Sequence, residues 1–255
     1  MPERGGRPAV SLSVTVICLN EAATIQDCLE SVRWADEIIV CDSGSTDGTL
    51  EICRAYTERV FTDPWRGFAA HKNLAIERAT SDWILSLDAD ERVTPDLAQE
   101  IQTVLRDRHA ADGYTVPRRN YFLGQWIRHG GWYPDRTVRL FRRGRGEFLP
   151  RAVHEAVRVE GRTDHLQAPL EHYTYRSVSA YLQRMDRYSA LAAEELWIGG
   201  RRARVTDLCL RPPATFLRMF VLQQGFRDGT AGLVLASLYA AQTLAKYVKL
   251  WEKGR

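Results

Sequence analysis

Nothing in the 255-residue chain is long and apolar enough to read as an ordinary transmembrane helix. Its longest uncharged stretch, 229–245, is seventeen residues and contains Gly, Ser, Gln and Thr, whereas a spanning helix needs about twenty apolar residues. An interfacial or re-entrant helix, or a helix buried against the rest of the protein, remains open for that stretch. Paired cysteines are also lacking. Cys18, Cys28, Cys41, Cys53 and Cys209 are odd in number and form no C-x-x-C, which argues against a disulfide framework or a zinc ribbon and for small core residues in a reducing compartment. The N-terminal residues are polar and basic with no h-region behind them, because the apolar run from Val10 is broken by Ser and Thr and ends in Asn20-Glu21. A cytosolic enzyme body is the expectation. The net charge of +3 and pI near 8.6 are too mild to argue for nucleic acid. Repeats and low-complexity tracts are missing, and with 45% hydrophobic and 26% charged residues the chain is folded rather than disordered.

The charge that is present is unevenly placed. From Arg118 to Arg162 there are eleven arginines against four acids, 11 − 4 = +7 before histidines, so this region is expected to face an anion. The stretch Trp83-Ile84-Leu85-Ser86-Leu87-Asp88-Ala89-Asp90-Glu91-Arg92 reads as a buried strand ending in two aspartates spaced by one residue. In an extended chain, residues i and i+2 face the same way. Asp88 and Asp90 would therefore point together and repel unless a cation lies between them. A hard divalent metal, which takes oxygen ligands and shares them with substrate phosphates, is the economical resident; a solvated acidic turn is the ordinary alternative.

The rest of the first half alternates strand and helix. Val10–Leu19 reads as a strand buried on both faces, with Asn20 placed to cap a helix carrying Ile25, Leu29 and Val32. A second strand, Glu37–Cys41, ends in Asp42 and the turn-rich loop from Ser43 to Thr49. Residues 59–62, 68–79 and the strand to Asp88 repeat the pattern. This predicts an α/β fold with a mostly parallel sheet and helices on both faces, in which ligands bind beyond the carboxyl ends of the strands. Asn20-Glu21, Asp42-Ser43 and Asp88-Asp90 then share one rim. Thr94-Pro95 opens a helix with Leu97, Ile101, Val104 and Leu105 on its apolar face. Expected strands 113–117 and 137–141 flank a loop from Tyr121 to Tyr133, whose aromatic rings beside Arg and His suit either sugar stacking and acceptor gating or core packing. A long helix covers 179–197 with Gly199-Gly200 as its stop, and Pro212-Pro213 starts an apolar segment.

With these residues assembled, positions up to about 105 resemble the family 2 inverting glycosyltransferases of the GT-A fold. The resemblance is carried by Val16-Ile17-Cys18-Leu19-Asn20-Glu21, Val40-Cys41-Asp42-Ser43-Gly44-Ser45-Thr46-Asp47-Gly48-Thr49, His71-Lys72-Asn73 and Leu87-Asp88-Ala89-Asp90-Glu91. The remainder is similar to the bacterial lipopolysaccharide core β-glucosyltransferases through Gly130-Gly131-Trp132-Tyr133-Pro134-Asp135, Arg139-Leu140-Phe141-Arg142-Arg143, Val153-His154-Glu155, Gly225-Phe226-Arg227-Asp228-Gly229 and residues 246–252. The resemblance implies a GT-A domain over 8–175 and a C-terminal helical, membrane-associating extension over 176–255. It implies that Asn20, Glu21, Asp42, Ser43 and Lys72 contact the nucleotide sugar, that Asp88 lies by ribose and metal, and that Asp90 binds Mn²⁺ or Mg²⁺. The second metal ligand departs from the family pattern; His154 is the candidate. Because an inverting transfer needs a base across the sugar from the metal, the family's usual placement makes Glu155 the favoured base and Asp135 the second. Trp132, Arg139, Arg142 and Arg143 are the residues expected to meet an anionic glycolipid acceptor.

The activity so implied is transfer of a hexose, glucose from UDP-glucose, to a lipopolysaccharide core or related cell-envelope glycan, at the cytoplasmic face of the inner membrane and peripheral to it. Two alternatives stand beside it: a sugar transferase acting on a polyprenyl phosphate, and a non-catalytic membrane-bound nucleotide-sugar sensor. A phosphatase using Asp-x-Asp fits less well. It expects the pair after an early strand and leaves the Ser43–Thr49 loop unexplained.

Overall fold

The computed structural model describes residues 10–149 and 156–255. Its elements in chain order are β1 (Leu12–Cys18), α1 (Ile25–Glu30), β2 (Glu37–Asp42), α2 (Thr49–Arg54), β3 (Val60–Thr62), α3 (Phe68–Glu77), β4 (Trp83–Asp88), β5 (Glu91–Val93) and α4 (Pro95–Arg106). There follow β6 (Gly113–Phe122), β7 (Gln125–Trp126), β8 (Asp135–Arg142), β9 (Gly146–Leu149), β10 (Ala156–Val159), β11 (Thr163–His165) and β12 (Leu170–Tyr175). The chain ends in α5 (Val178–Ile198), α6 (Val205–Leu217), a π-helical turn Arg218–Leu222, a 3-10 turn Gly225–Asp228 and α7 (Gly229–Glu252).

The main sheet runs β3-β2-β1-β4-β8-β6-β12-β5, with β7 and β11 paired to β6. Its first four strands are parallel, Cys18 pairing with Asp42 and Ile17 with Asp88, and β8 returns antiparallel to β4 with Trp83 opposite Arg142. Every residue of β1 is buried, as a central strand covered on both faces requires. The expected α/β architecture is what the chain adopts: a mixed, mostly parallel sheet between helices, followed by C-terminal helices. Contacts divide the described residues into two compact units, one of residues 10–116, 137–149 and 156–170, the other of residues 117–136 and 171–255.

In the first unit the alternation of side chains builds two cores. Val14, Val16, Val40, Trp83, Leu85 and Leu87 face α1, α2 and α4, packing on Ile25, Leu29, Cys53, Leu97 and Ile101. Ile17, Ile39, Cys41, Ile84 and Phe141 face α3, packing on Ala75 and Ala79. Each such fully buried side chain stabilises the fold by about 1.5–3 kcal/mol relative to exposure. Helix α4 starts as its sequence dictates, with the Thr94 hydroxyl accepting from Leu97 N at 3.2 Å and Pro95 at the first helical position. The period-two alternation also fixes the strand ends: Asp42 continues the face of Ile38 and Val40, whereas Asp88 continues the face of Ile84, toward α3.

The second unit has its own core. Phe122, Ile127, Trp132, Tyr181, Met219, Leu235 and Ala236 form it, bordered by Tyr175 and Tyr239. Trp132 is only 8% exposed and makes edge contacts with Phe122 and Tyr239. The acceptor-facing role expected of Trp132 is thus replaced by core packing. Helix α5 ends at Gly199 as the sequence predicted, its N–H bonding Glu195 O. Pro212 and Pro213, expected to begin an element, lie inside α6. Buried Pro212 is held there by packing that outweighs the lost backbone donor, and the helix widens into the π turn six residues later. Among the described residues, no helix is long and apolar enough to cross a membrane.

Candidate active site

Three loops at the carboxyl ends of β1, β2 and β4 carry the polar residues singled out in the sequence, all in the first unit. Asn20 adopts a left-handed backbone with φ 55°, a conformation that Asn tolerates better than most residues. It does not cap α1. Its Oδ1 accepts from Thr46 N at 2.8 Å and its own N–H donates to Ser45 Oγ at 2.8 Å. Glu21 N donates to Thr49 Oγ1 at 2.8 Å, Ala22 N to Asp47 Oδ2 at 3.1 Å, and Thr24 Oγ1 to the Glu21 carboxylate at 2.7 Å. The Ser-Gly-Ser-Thr-Asp-Gly-Thr composition therefore works as a clasp. Its hydroxyls and carboxylates satisfy the backbone donors of the neighbouring β1 loop.

Asp42 is the centre of this clasp. It is 0% exposed, with Oδ2 accepting from Gly44 N at 2.7 Å and Ser45 N at 2.9 Å, and Oδ1 accepting from the Ser45 hydroxyl and from Cys18 Sγ at 3.6 Å. A carboxylate so filled organises its loop, and a direct contact with a nucleotide would require the loop to open. Ser43, half-buried beside it, meets His71 Nε2 at 3.0 Å. Burial pushes the His71 imidazole below its ordinary pKa, against the opposing pull of Asp63, so the ring is neutral at pH 7. Trp65 and Phe68, both exposed, pack edge to face at 4.7 Å, and Trp65 lies 5.4 Å from the His71 ring.

On the α3 side of the sheet, Asp88 sits between two cations. Lys72 Nζ, nearly buried, reaches Asp88 Oδ1 at 2.7 Å, and Arg139 Nη2 reaches Oδ2 at 2.6 Å. Arg139 also pairs with Glu91 at 2.5 Å, and Glu91, 0% exposed, accepts from Asp88 N at 3.0 Å. Burial opposes the Arg139 charge, but Asp88 and Glu91 outweigh it and raise the pKa of the guanidinium. Among the described residues, two cations and two carboxylates thus meet at the end of β4, and removing one partner of such a buried network costs about 3–5 kcal/mol. Asp90 follows, half-buried in the turn between β4 and β5. Among the described residues, no three His, Cys, Asp or Glu side chains cluster as a ready-made metal cage.

The arginines expected at an acceptor divide. Arg139 is an internal ligand of Asp88 and Glu91, not a rim residue. Arg142 stands opposite Trp83, at the start of β4 and five residues from Asp88, with its guanidinium 4.5 Å from the Trp83 ring and 3.7 Å from Asp112. Arg143 donates to Ser81 O at 2.8 Å. Both therefore lie at the opposite end of β4 from the carboxylates, about 17 Å away at the rise of a strand, and the acceptor role expected of them is corrected. Burial was hidden in the sequence for Glu91 and Arg139. Glu91 was legible only as part of the Asp88–Arg92 run, and Arg139 needed the β4–β8 register.

In the second unit, Asp135 Oδ2 accepts from Arg118 Nε at 3.0 Å, Arg118 Nη2 at 2.6 Å and Asn120 Nδ2 at 3.0 Å. Asn120 Oδ1 in turn meets His172 Nδ1 at 2.7 Å. Three donors hold one oxygen of Asp135 and leave Oδ1 without a hydrogen bond among the described residues. The expected base Glu155 and expected metal ligand His154 lie outside the described residues.

The family model described as glycosyl transferase family 2 matches residues 13–160. A lipopolysaccharide core biosynthesis glycosyltransferase, LpsC of Rhizobium meliloti, is 33% identical over 249 residues, covering 94% of this chain and 92% of the relative. An uncharacterized glycosyltransferase of Rickettsia typhi is 26% identical over 255 residues, covering 94% and 87%. Among solved structures, S. aureus TarS 1-349 in complex with UDP is similar at 15% identity and TM-score 0.49, covering 96% of this chain and 92% of that one. Glucosyl-3-phosphoglycerate synthase of Mycobacterium tuberculosis with Mn²⁺ and UDP-glucose is 26% identical at TM-score 0.38, covering 43% and 44%.

Proposed function

The chain belongs to glycosyl transferase family 2, and from that premise we propose an inverting, metal-dependent hexosyltransferase that moves glucose from UDP-glucose to a lipopolysaccharide core or related envelope glycan. The enzyme is a glycosyltransferase; donor, metal, stereochemistry and acceptor are the proposal. The observation that carries it is the end of β4, where Asp88 is neutralised from both sides and Asp90 follows in the turn, on the rim shared by the β1 and β2 loops. The full-length likeness to LpsC supports the acceptor class.

The residues fit a divalent cation of the kind proposed. A hard ion such as Mg²⁺ or Mn²⁺ is commonly held by one or two carboxylates, with water and substrate phosphates completing its shell. Asp90, in the turn that follows β4, is the carboxylate that would hold the ion, beside an Asp88 paired with Lys72 and Arg139. Once bound, the ion neutralises charge developing on the departing diphosphate. The protein's own parts do the rest. Lys72, one bond from Asp88, is placed to exchange that carboxylate for a phosphate oxygen. The clasped loops of Asn20–Glu21 and Ser43–Thr49 fix one wall of the donor site, and a carboxylate takes the proton of the acceptor hydroxyl.

Incubation with UDP-glucose, Mn²⁺ and deacylated lipopolysaccharide core tests the function. Release of UDP with a β-linked glucose in the product supports it; an α-linked product overturns inversion, and donor binding without any turnover favours the sensor. The proposed site of action is the cytoplasmic face of the inner membrane. Its support is the exposure of Leu210, Leu217, Val221, Leu222 and Phe226 among Arg211, Arg218 and Arg227, since apolar area beside cations draws a segment to anionic lipid. In flotation with anionic vesicles, Leu222→Glu with Phe226→Glu is expected to leave the lipid fraction that the parent enters; equal partition of the two removes the proposal.

A further inference from the structure

One face of the β6–β7 hairpin collects hydrogen-bond donors, two of which, Arg119 Nε and Trp126 Nε1, find no acceptor among the described residues. Leu123 and Gly124, with φ 51° and 80°, make the two-residue turn, the geometry that joins tight hairpins. Tyr121 then pairs with Trp126, and Ile127 N bonds Asn120 O at 3.0 Å. Continuing that register one pair sets Arg119 opposite Arg128, on the same face as Tyr121 and Trp126. Like charges facing each other across two strands are ordinarily destabilising.

Among the described residues no acid pairs with either guanidinium; the Asp228 carboxylate beside Arg128 accepts from its backbone N–H at 3.3 Å. Arg119 and Arg128 both turn to the Trp126 ring, their guanidinium carbons 4.8 Å and 4.3 Å from its centroid, and neither side chain has a carboxylate partner among the described residues. The indole face attracts cations but does not cancel them. Arg119 Nε and Trp126 Nε1 are buried and have no acceptor among the described residues, a state that costs about 1–3 kcal/mol for each such group. Glu171, on neighbouring β12, is engaged by the hydroxyls of Tyr121 and Tyr173, each at 3.1 Å. Tyr121 and Tyr173 stack at 4.7 Å with 9° between planes, and Tyr133 meets Trp126 edge to face at 5.5 Å.

Flat rings beside two uncompensated guanidiniums suit a sugar that carries a negative charge. We propose that Arg119, Trp126 and Arg128 form an anion-recognition subsite for the carboxylate or phosphate group of the sugar acceptor. The oxyanion supplies the acceptors that the cluster lacks, and the guanidinium forks match its oxygens. The subsite lies wholly within residues 117–136. Its assignment to an acceptor rests on the glycosyltransferase reading, whereas anion binding itself does not.

The test reads the indole N–H resonance of Trp126 in ¹⁵N-labelled full chain, identified by its loss in Trp126→Phe. Glucuronate, glucose 6-phosphate and glucose are titrated separately, with UDP and Mn²⁺ titrated in parallel. The resonance is expected to move with glucuronate or glucose 6-phosphate and to stay fixed with glucose; the stronger arm says which oxyanion is preferred. Arg128→Met, at an exposed position, and Arg119→Met are each expected to weaken the charged ligand about tenfold, the value of one modest charge-assisted contact. Arg128→Lys should recover part of it. No movement with either charged sugar, or equal movement with glucose, overturns the subsite even if UDP binds normally. Movement with the charged sugars but no UDP binding leaves the subsite standing and overturns the donor reading.

Discussion

Asp90→Asn is expected to lower kcat for UDP-glucose by about 10³ while leaving the melting temperature within a degree or two of the parent's. A bound metal contributes several kcal/mol of charge stabilisation at the transition state, and each 1.36 kcal/mol is tenfold in rate. The substitution keeps the side chain's size and one oxygen but removes the charge that retains the ion. Folding should be spared. The ion pairs that tie the end of β4 to α3 and β8 through Asp88 and Glu91 are kept in the variant, and the isosteric amide keeps an oxygen at position 90. UDP release and a thermal melt on the same preparation check both halves. Undiminished turnover by a folded Asp90→Asn protein would remove Asp90 from the metal.

Loss of the base has the other large effect. Glu155→Gln is expected to cut kcat by about 10² to 10⁴, the range for losing a positioned general base, with UDP affinity unchanged. Asp135→Asn is expected to be milder. Asp135 is a carboxylate with one oxygen held by Arg118 and Asn120, and its amide keeps an oxygen to accept those donors, so the variant loses the charge of an ion pair rather than the reaction's proton acceptor. Its Oδ1, without a hydrogen bond among the described residues, nevertheless makes Asp135 the competing base. If Asp135→Asn abolishes turnover at normal UDP affinity and Glu155→Gln does not, the role passes to Asp135. The pH profile of kcat, measured on both variants, separates a lost base from a displaced arginine.

The strands that build the donor rim were legible because they are buried on both faces. Trp83–Asp88 and Glu37–Asp42 read as apolar runs with an acidic stop, and the β-rich Leu12–Cys18 fell inside the expected 10–19. Period and turn composition were enough to bring Asn20, Asp42 and Asp88 to one edge, since three parallel strands put their carboxyl ends together. What those residues hold was not legible. Whether Asp42 faces a ligand or its own loop depends on which side of the sheet it continues, and pairing Cys18 with Asp42 decides it. Arg139 looked like one member of a basic run. Its burial follows from standing on the α3 face of β8, opposite the strand that ends in Asp88, a relation between residues 51 apart in sequence. The same register carried Arg142 and Arg143 to the far end of β4. Trp132 shows the complementary case: an aromatic in a Gly-rich loop has the composition of a sugar platform, yet Phe122 of the preceding strand and Tyr239 of the distant α7 pack against it. The short strand β5 and the hairpin of β9 and β10 escaped because three or four residues carry too little period to distinguish. For the longer elements local pattern located the element and long-range pairing assigned the role.

The central claim is that Asp90 holds a divalent cation against the diphosphate of a nucleotide sugar, and titration of Mn²⁺ followed by its electron paramagnetic resonance signal measures that directly. In the presence of UDP, the wild-type protein is expected to remove one equivalent of free Mn²⁺ from the signal, and Asp90→Asn to remove none at the same concentration, with Asp88→Asn separating the two carboxylates. Equal loss of the Mn²⁺ signal with wild type and Asp90→Asn, or no loss with wild type and saturating UDP, would contradict the account.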